Sequence, residues 1–375
     1  MQPRQLPNSV WVGIFVVVVI TTGVWAYWRY QPTKPPELPD VAFAGESSEL
    51  ANTVVVPTPD TPVAAGKTVV WCSSFTLAWR RLSEDVAREP IRVAQAQEIA
   101  DRLNAAEHTE SDVANGDVLA MAGLGRKAFE SRLQKQFAKQ FPDRSLPELN
   151  LGPNDAATYA LLVVQQAFEN AFFENKKPLL FHDASGKTTS VRSFGVFEVA
   201  QSMSRLGGQV RVEYIPPEEW RNPEFVVDLD RNSQPYQVLI AKVAPKATLA
   251  ETWVDVEAKR AEYAKRKPHQ MPLSELIIPT LSFRLKHRFT ELEGTDKQLL
   301  NPRLAGLHLA QASQTVEFRL DRKGVTLASK AEVIAKGGYP PMIADGPFLV
   351  ALKKRSATRP FLLLWIATPE FLEKW

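Results

Sequence analysis

The chain has 375 residues, 45% of them hydrophobic, and a formal net charge of only +3. That is ample for one large core or two smaller ones, and too little charge to point to nucleic acid as a partner. Twenty-eight prolines against 18 glycines exclude a glycine-rich fibrous protein, and the single cysteine, Cys72, excludes an intramolecular disulfide.

After a nine-residue tail, residues 10–28 (VWVGIFVVVVITTGVWAYW) contain no charged side chain. Nineteen residues of helix cross a hydrocarbon core of roughly 30 Å. Trp11 at one end and Trp25, Tyr27 and Trp28 at the other fit an interfacial aromatic belt. The end WAYWRYQP has no small-x-small cleavage site, so an uncleaved transmembrane helix in a lipid bilayer is expected. Arg4 on one side and Arg29 and Lys34 on the other set the orientation only weakly. The expectation is a single-pass protein with its C-terminal domain exported, periplasmic or extracellular.

Residues 29–66 hold seven prolines (Pro32, Pro35, Pro36, Pro39, Pro57, Pro59 and Pro62) and are expected to form an extended tether. A folded domain is expected over 67–375. Its first half reads as helix. SFTLAWRRLSEDVA, VAQAQEIADRLNAAE and RKAFESRLQKQFAKQF repeat apolar residues at three- and four-residue steps, the last through Phe129, Leu133, Phe137 and Phe141. The long apolar run ATYALLVVQQAFENAFF then suggests a buried strand. Further strands are expected in PLLFHDASGKTTSVRSF, GQVRVEYIP, QPYQVLIAKVAP, SELIIPTLSFRLKHRF, SQTVEFRLD, GPFLVALKK and PFLLLWIATP. One amphipathic helix, TLAETWVDVEAKRAEYAKRK, interrupts them. Helices first and strands after imply an α+β fold with large mixed or antiparallel sheets.

Motifs with enzymatic chemistry are weak. Gly186-Lys187-Thr188 ends like a phosphate-binding loop, but Phe181 stands where that loop requires a glycine, so a hairpin turn is expected. GLGRKA at 123–128 has two of the three glycines of a dinucleotide fingerprint and reads as a loop before a helix. His108, His182, His269, His287 and His308 show no metal-ligand spacing and adjoin no nucleophile motif. No enzyme, cofactor or metal is expected. The cationic run EAKRAEYAKRKPH reads as a solvated helix end, which the helix dipole favours.

The C-terminal third carries a resemblance. GPFLVALKKRSATRPFLLLWIATPEFL, with Pro347-Phe348 and IATP at 366–369, resembles the ending of serpins, the serine protease inhibitor fold. VEFRLDRKGVTLASKAEV resembles the serpin strand and hinge that lead into the reactive-centre loop, with Gly324 at the hinge glycine. LSELIIPTLSF, FENAFFENKKPLLFHDASGKTTSVRSF (with Phe172 in place of a tryptophan) and VVWCSSFTLAWRRL are similar to other serpin segments in the same order. The chain departs from the family in lacking room for the helix that covers the main sheet and in placing Arg322 where the hinge has a glutamate. Ser74 also replaces an early proline.

The resemblance implies a reactive loop over 324–341. A serpin inhibitor is a suicide substrate: a protease cuts the loop, which then inserts into a sheet as a new strand. Val325, Leu327, Ser329 and Ala331 fall on one face of such a strand, with Val333, while Lys330 and Glu332 fall on the other. The loop from Gly324 to Phe348 is about four residues shorter than the family pattern, which loses roughly 13 Å of reach at the rise of a strand. Counting from the hinge and counting back from Phe348 place the cut bond differently, at Gly338-Tyr339 and at Ile334-Ala335. The candidate scissile region is therefore Ile334, Ala335, Lys336, Gly337 and Gly338. The shortened loop and altered hinge favour a membrane-tethered, non-inhibitory binding or structural module. The alternative is a working inhibitor of a serine protease.

Overall fold

The computed structural model describes residues 41–124, 126–142, 144, 146, 156–164, 166–197, 206–216, 223–266, 275–309, 311–324 and 341–375. In chain order the strands are β1 (Phe43–Glu46), β2 (Thr53–Val55), β3 (Thr68–Cys72), β4 (Val118–Leu124), β5 (Ala156–Leu162) and β6 (Phe173–Glu174). They continue as β7 (Leu179–His182), β8 (Thr188–Val191), β9 (Ser193–Val196), β10 (Arg211–Tyr214), β11 (Phe225–Asp228) and β12 (Tyr236–Lys242). The last six are β13 (Leu276–Pro279), β14 (Leu281–Arg288), β15 (Ser313–Leu320), β16 (Met342–Ile343), β17 (Phe348–Lys354) and β18 (Pro360–Ile366). The helices are α1 (Ser73–Arg81), α2 (Gln97–Ala105), α3 (Arg126–Gln140) and α4 (Leu249–Lys265).

The folded unit begins at Val41, earlier than the expected boundary at Lys67. β1 runs parallel to β14 and β2 runs parallel to β3, so the second part of the supposed tether is built into two sheets. Proline content misleads here because Pro57, Pro59 and Pro62 follow β2, where no ladder donor is needed. Strands β1 to β3 also precede the first helix, which corrects the helices-first order. Among the described residues no helix is long and apolar enough to cross a membrane, and residues 10–28 lie outside them.

The largest sheet has seven strands in the order β10-β11-β12-β17-β18-β3-β2. Its centre is the β17–β18 hairpin, whose near-continuous apolar runs are what strands buried on both faces require. Alternate residues part cleanly. Phe348, Val350, Leu352, Leu362, Leu364 and Ile366 enter the main core. Leu349, Ala351, Leu363 and Trp365 enter a second cluster with Trp253 and Val256 of α4. Helix α4 starts at Thr248, whose hydroxyl accepts the Glu251 amide at 3.0 Å.

SELIIPTLSFRLKHRF, read as one strand, divides at Pro279-Thr280 into β13 and β14, which belong to different sheets. The four-stranded sheet β16-β13-β9-β6 is one of these, and β1-β14-β15 is the other. Among the described residues β4 and β5 pair only with each other. They lie between two helices: Leu119 and Ala157 pack with Phe129, Leu133, Phe137 and Phe141 of the α3 region, while Thr158 on the reverse face bonds Ala78 of α1. Helix α3 thus covers one face of this pair. β4 also leads directly into Gly123-Leu124, where no strand was expected.

Candidate functional site

β15 ends in a tight turn, Asp321 to Gly324, closed by paired backbone hydrogen bonds between those two residues at 3.2 and 3.3 Å. The Asp321 carboxylate accepts from the Lys323 amide and from Arg319 Nε, both at 2.9 Å. Gly324 has φ +120°, where an L side chain is strained. It also faces the backbone of a neighbouring segment, 166–172. A Cβ on Gly324 would stand 2.4 Å from Gln166 O, 2.7 Å from Phe168 N and 2.8 Å from Ala167 Cα. Glycine is required here twice over, by conformation and by contact.

The strap 166–172 is what the hinge rests on. Phe168 N donates to Lys323 O at 2.9 Å, Phe172 N donates to Arg322 O at 2.6 Å, and Arg322 Nη1 donates back to Phe172 O at 3.1 Å. Phe168 and Phe172 stack edge to face, and Phe172 continues onto Phe194 in β9. On its far side the strap is bound to buried polar groups. Glu169 N donates to Asp230 Oδ2 at 2.5 Å, and Gln209 bonds both the amide and the carbonyl of Asn170. Asp230 is fully buried, and desolvation pushes its carboxyl above the ordinary range. Next to it Arg355, from the β17–β18 turn, forks onto Asp228 at 2.9 and 3.3 Å. The hinge is therefore held to the centre of the seven-stranded sheet through two layers of polar contacts.

β5 and β15 both bond to helix α1, and the interval over that helix is a seam. Each has one edge that pairs with no strand among the described residues. Helix α1 underlies both. Gln314 of β15 donates to Ser74 Oγ at 2.7 Å and to Cys72 O at 2.9 Å, and Thr158 of β5 donates to Ala78 O at 2.7 Å. Cys72 is buried beside this contact, and desolvation raises its thiol pKa, as suits an inert thiol. Beyond the loop the chain rejoins the body in β16, which pairs parallel with β13.

No family model matches the sequence, and no curated protein matches it. Among solved structures the chain is similar to thyroxine-binding globulin in complex with thyroxine, at 14% identity and a TM-score of 0.48, over 82% of this chain and 94% of that one. It is similar to human kallistatin at 13% identity and a TM-score of 0.47, over 82% and 92%. It is also similar to a serpin of the insect Tenebrio molitor at 13% identity and a TM-score of 0.44, over 80% and 92%.

Of the residues singled out in the sequence, Gly324 closes the turn after β15 with the glycine-requiring geometry just described. Val325, Leu327, Ser329, Ala331, Ile334, Ala335, Lys336, Gly337 and Gly338 lie outside the described residues. Phe172 is buried against the hinge, and Arg322 holds its backbone. Gly186-Lys187-Thr188 forms the β7–β8 turn, with Asp183 Oδ1 accepting from Ser185 and Lys187 amides. Three cations in and just after α4 are engaged with acids: Lys259 with Glu224 and Asp255, Arg260 with Glu213 and Glu257, and Arg266 with Glu262.

Sequence reading missed the strap anchors Asp230, Gln209 and Arg355. Their partners come from segments up to 127 residues away, which no local pattern reveals. His287 Nδ1 meets Ser47 Oγ at 2.6 Å, also unforeseen. Among the described residues no carboxylate bonds the other ring nitrogen, so the pair ties the β1 end to β14 without the orienting acid of a triad.

Proposed function

We propose that residues 41–375 are a serpin-like, non-enzymatic domain, held to a membrane by residues 10–28, that binds a protein partner through the loop after Gly324 without trapping a protease. The observation that carries this reading is the stitched hinge. A loop entering the seam between β5 and β15 must first open the strap, breaking the Phe168–Lys323 and Phe172–Arg322 backbone bonds and the Arg322 contact with Phe172 O. Each lost buried bond costs on the order of 1 kcal/mol, and Gly324 must also leave the backbone of 166–168. Arg322, where the family pattern places a glutamate, makes opening harder.

One observation favours the alternative, a suicide inhibitor. β5 and β15 are seven and eight residues long, about 23–26 Å, and the nine alternating residues 325–333 span about 30 Å when extended. Extended, those nine residues are at least as long as either strand, so length alone does not disqualify insertion.

Incubating the protein with serine proteases of several specificities, a trypsin-like one for Lys336-Gly337 among them, separates the readings. Cleavage within 325–340 with no complex surviving boiling in detergent is the expected result. A covalent complex would overturn the non-inhibitory reading and leave the serpin-like one standing.

A further inference from the structure

Ser282 of β14 and Arg319 of β15 stand opposite each other in the ladder, so their side chains share one face of the β1-β14-β15 sheet. The Ser282 hydroxyl accepts from Ala42 N at 3.0 Å and donates to Glu373 Oε1 at 3.0 Å. The same Glu373 oxygen meets Arg319 Nη2 at 3.4 Å, and Arg319 Nε donates to Asp321 Oδ2 at 2.9 Å. Asp321 Oδ1 in turn accepts the Lys323 amide at 2.9 Å, inside the turn that Gly324 closes. Five polar contacts thus run without a gap from the residue before β1 to the turn before the loop.

The order of these contacts has physical consequences. A hydroxyl has one proton, and accepting from Ala42 N leaves that proton to Glu373. Linked hydrogen bonds polarise one another, the more so away from water: Ser282 is fully buried, and the Arg319 and Glu373 side chains are 17% and 19% exposed. Among the described residues Arg319 Nη1 is buried without a hydrogen-bond partner, so the fork is held by its two carboxylates. Packing adds a second link. Phe43 meets Phe371 with ring centroids 6.2 Å apart, and Phe371 stacks on Phe283 of β14 at 4.1 Å, so β1 also steadies the segment that carries Glu373. β1 itself has four residues and, among the described residues, pairs with β14 alone. A short element with few contacts is among the first to open.

We propose that the docking of β1 sets the turn from Asp321 to Gly324. While Ala42 and Phe43 hold residues 371–373, Glu373 keeps Arg319 on Asp321 and the turn stays closed. Release of β1 loosens the turn, and with it the start of the loop that follows. Lys323 O accepts the Phe168 amide, so a loosened turn loosens the strap as well. The proposal rests on the loop-binding reading for what the loop does, and adds a regulator to it. Glu373 and Arg319 are positioning residues here, acting through Asp321 rather than on a partner.

Hydrogen exchange on the full chain tests this. Ala42→Pro removes the first donor, and Glu373→Gln removes the charge while keeping the shape. Each is expected to speed exchange of the Lys323 and Gly324 amides about 3- to 5-fold. The double variant is expected to match the faster single one, because both substitutions break the same chain of contacts. Phe43→Ala, which removes the packing link, is an independent way to loosen β1 and should act in the same direction. Unchanged exchange at 323 and 324, or effects that multiply in the double variant, would overturn the relay. Equal acceleration along β14 and β15, which a merely structural role predicts, would overturn it too. These rates involve neither a protease nor a loop partner. A failed relay therefore leaves the loop-binding reading standing, and a covalent protease complex would remove that reading without altering the rates.

Discussion

The β17–β18 hairpin is apolar almost throughout, whereas β15 alternates polar and apolar residues, and the two regions end in opposite states. In the hairpin, every residue from Leu349 to Leu352 finds a partner strand on both edges, and the two faces enter two separate cores. At the seam, β5 and β15 each satisfy one edge, and α1 bonds to both from below. The connectivity differs too: hairpin strands meet because a short turn joins them, whereas β5 and β15 are each bonded to the same helix. An open strand edge is ordinarily a hazard. Here it is guarded at one end by a hinge whose glycine sits directly on the strap.

Substitutions separate the two regions by size of effect. Phe361 is fully buried in the hairpin and packs edge to face on Tyr236. Phe361→Ala is expected to cost ~3–5 kcal/mol of global stability in urea unfolding. Gly324→Val is expected to cost about 2–3 kcal/mol through strain and the clash with 166–168, and to act locally. Hydrogen exchange at the Phe168 and Phe172 amides should accelerate in this variant while the hairpin amides stay protected. Equal acceleration in both regions would show that hinge and hairpin open as one unit.

Arg322→Ala is smaller, about 1 kcal/mol, and is read as faster exchange of the Phe172 amide. The same variant should loosen the strap enough to raise any residual tendency of the loop to insert. Smallest is a pH effect of His108, which burial holds below its ordinary value of 6.5. A depressed folded-state pKa means the unfolded chain binds the proton more readily. The contribution is therefore complete above pH 6.5 and is lost as pH falls through the lower folded value. His108→Gln should flatten stability against pH in that window, as measured by thermal unfolding across an acid series.

How far the sequence revealed this molecule depended on whether the information was local. The hairpin was legible because PFLVALKK and PFLLLWIATP each state burial on both faces in consecutive residues. Helix α4 was legible from its amphipathic repeat. Gly324 was singled out through family resemblance; its φ of +120° and its contact with 166–168 are conformational facts that no sequence pattern states. β1 and β2 were missed because they are short, lie among prolines and pair with strands far along the chain: Phe43 meets Phe283. The division of SELIIPTLSFRLKHRF was missed because a proline ends one sheet pairing and the next residue turns into another. The strap anchors were invisible for a related reason. A buried carboxylate such as Asp230 has no pattern of its own until the amide it receives, that of Glu169, is placed beside it.

The stitched hinge is tested most directly by thermal unfolding of the protein before and after a single cut within residues 325–340. A hinge that keeps the loop out of the seam leaves the two midpoints within a few degrees of each other. A rise of about 10 °C or more after cutting, several kcal/mol for a domain of this size, would mean that the freed strand has filled the seam, and would contradict the proposal.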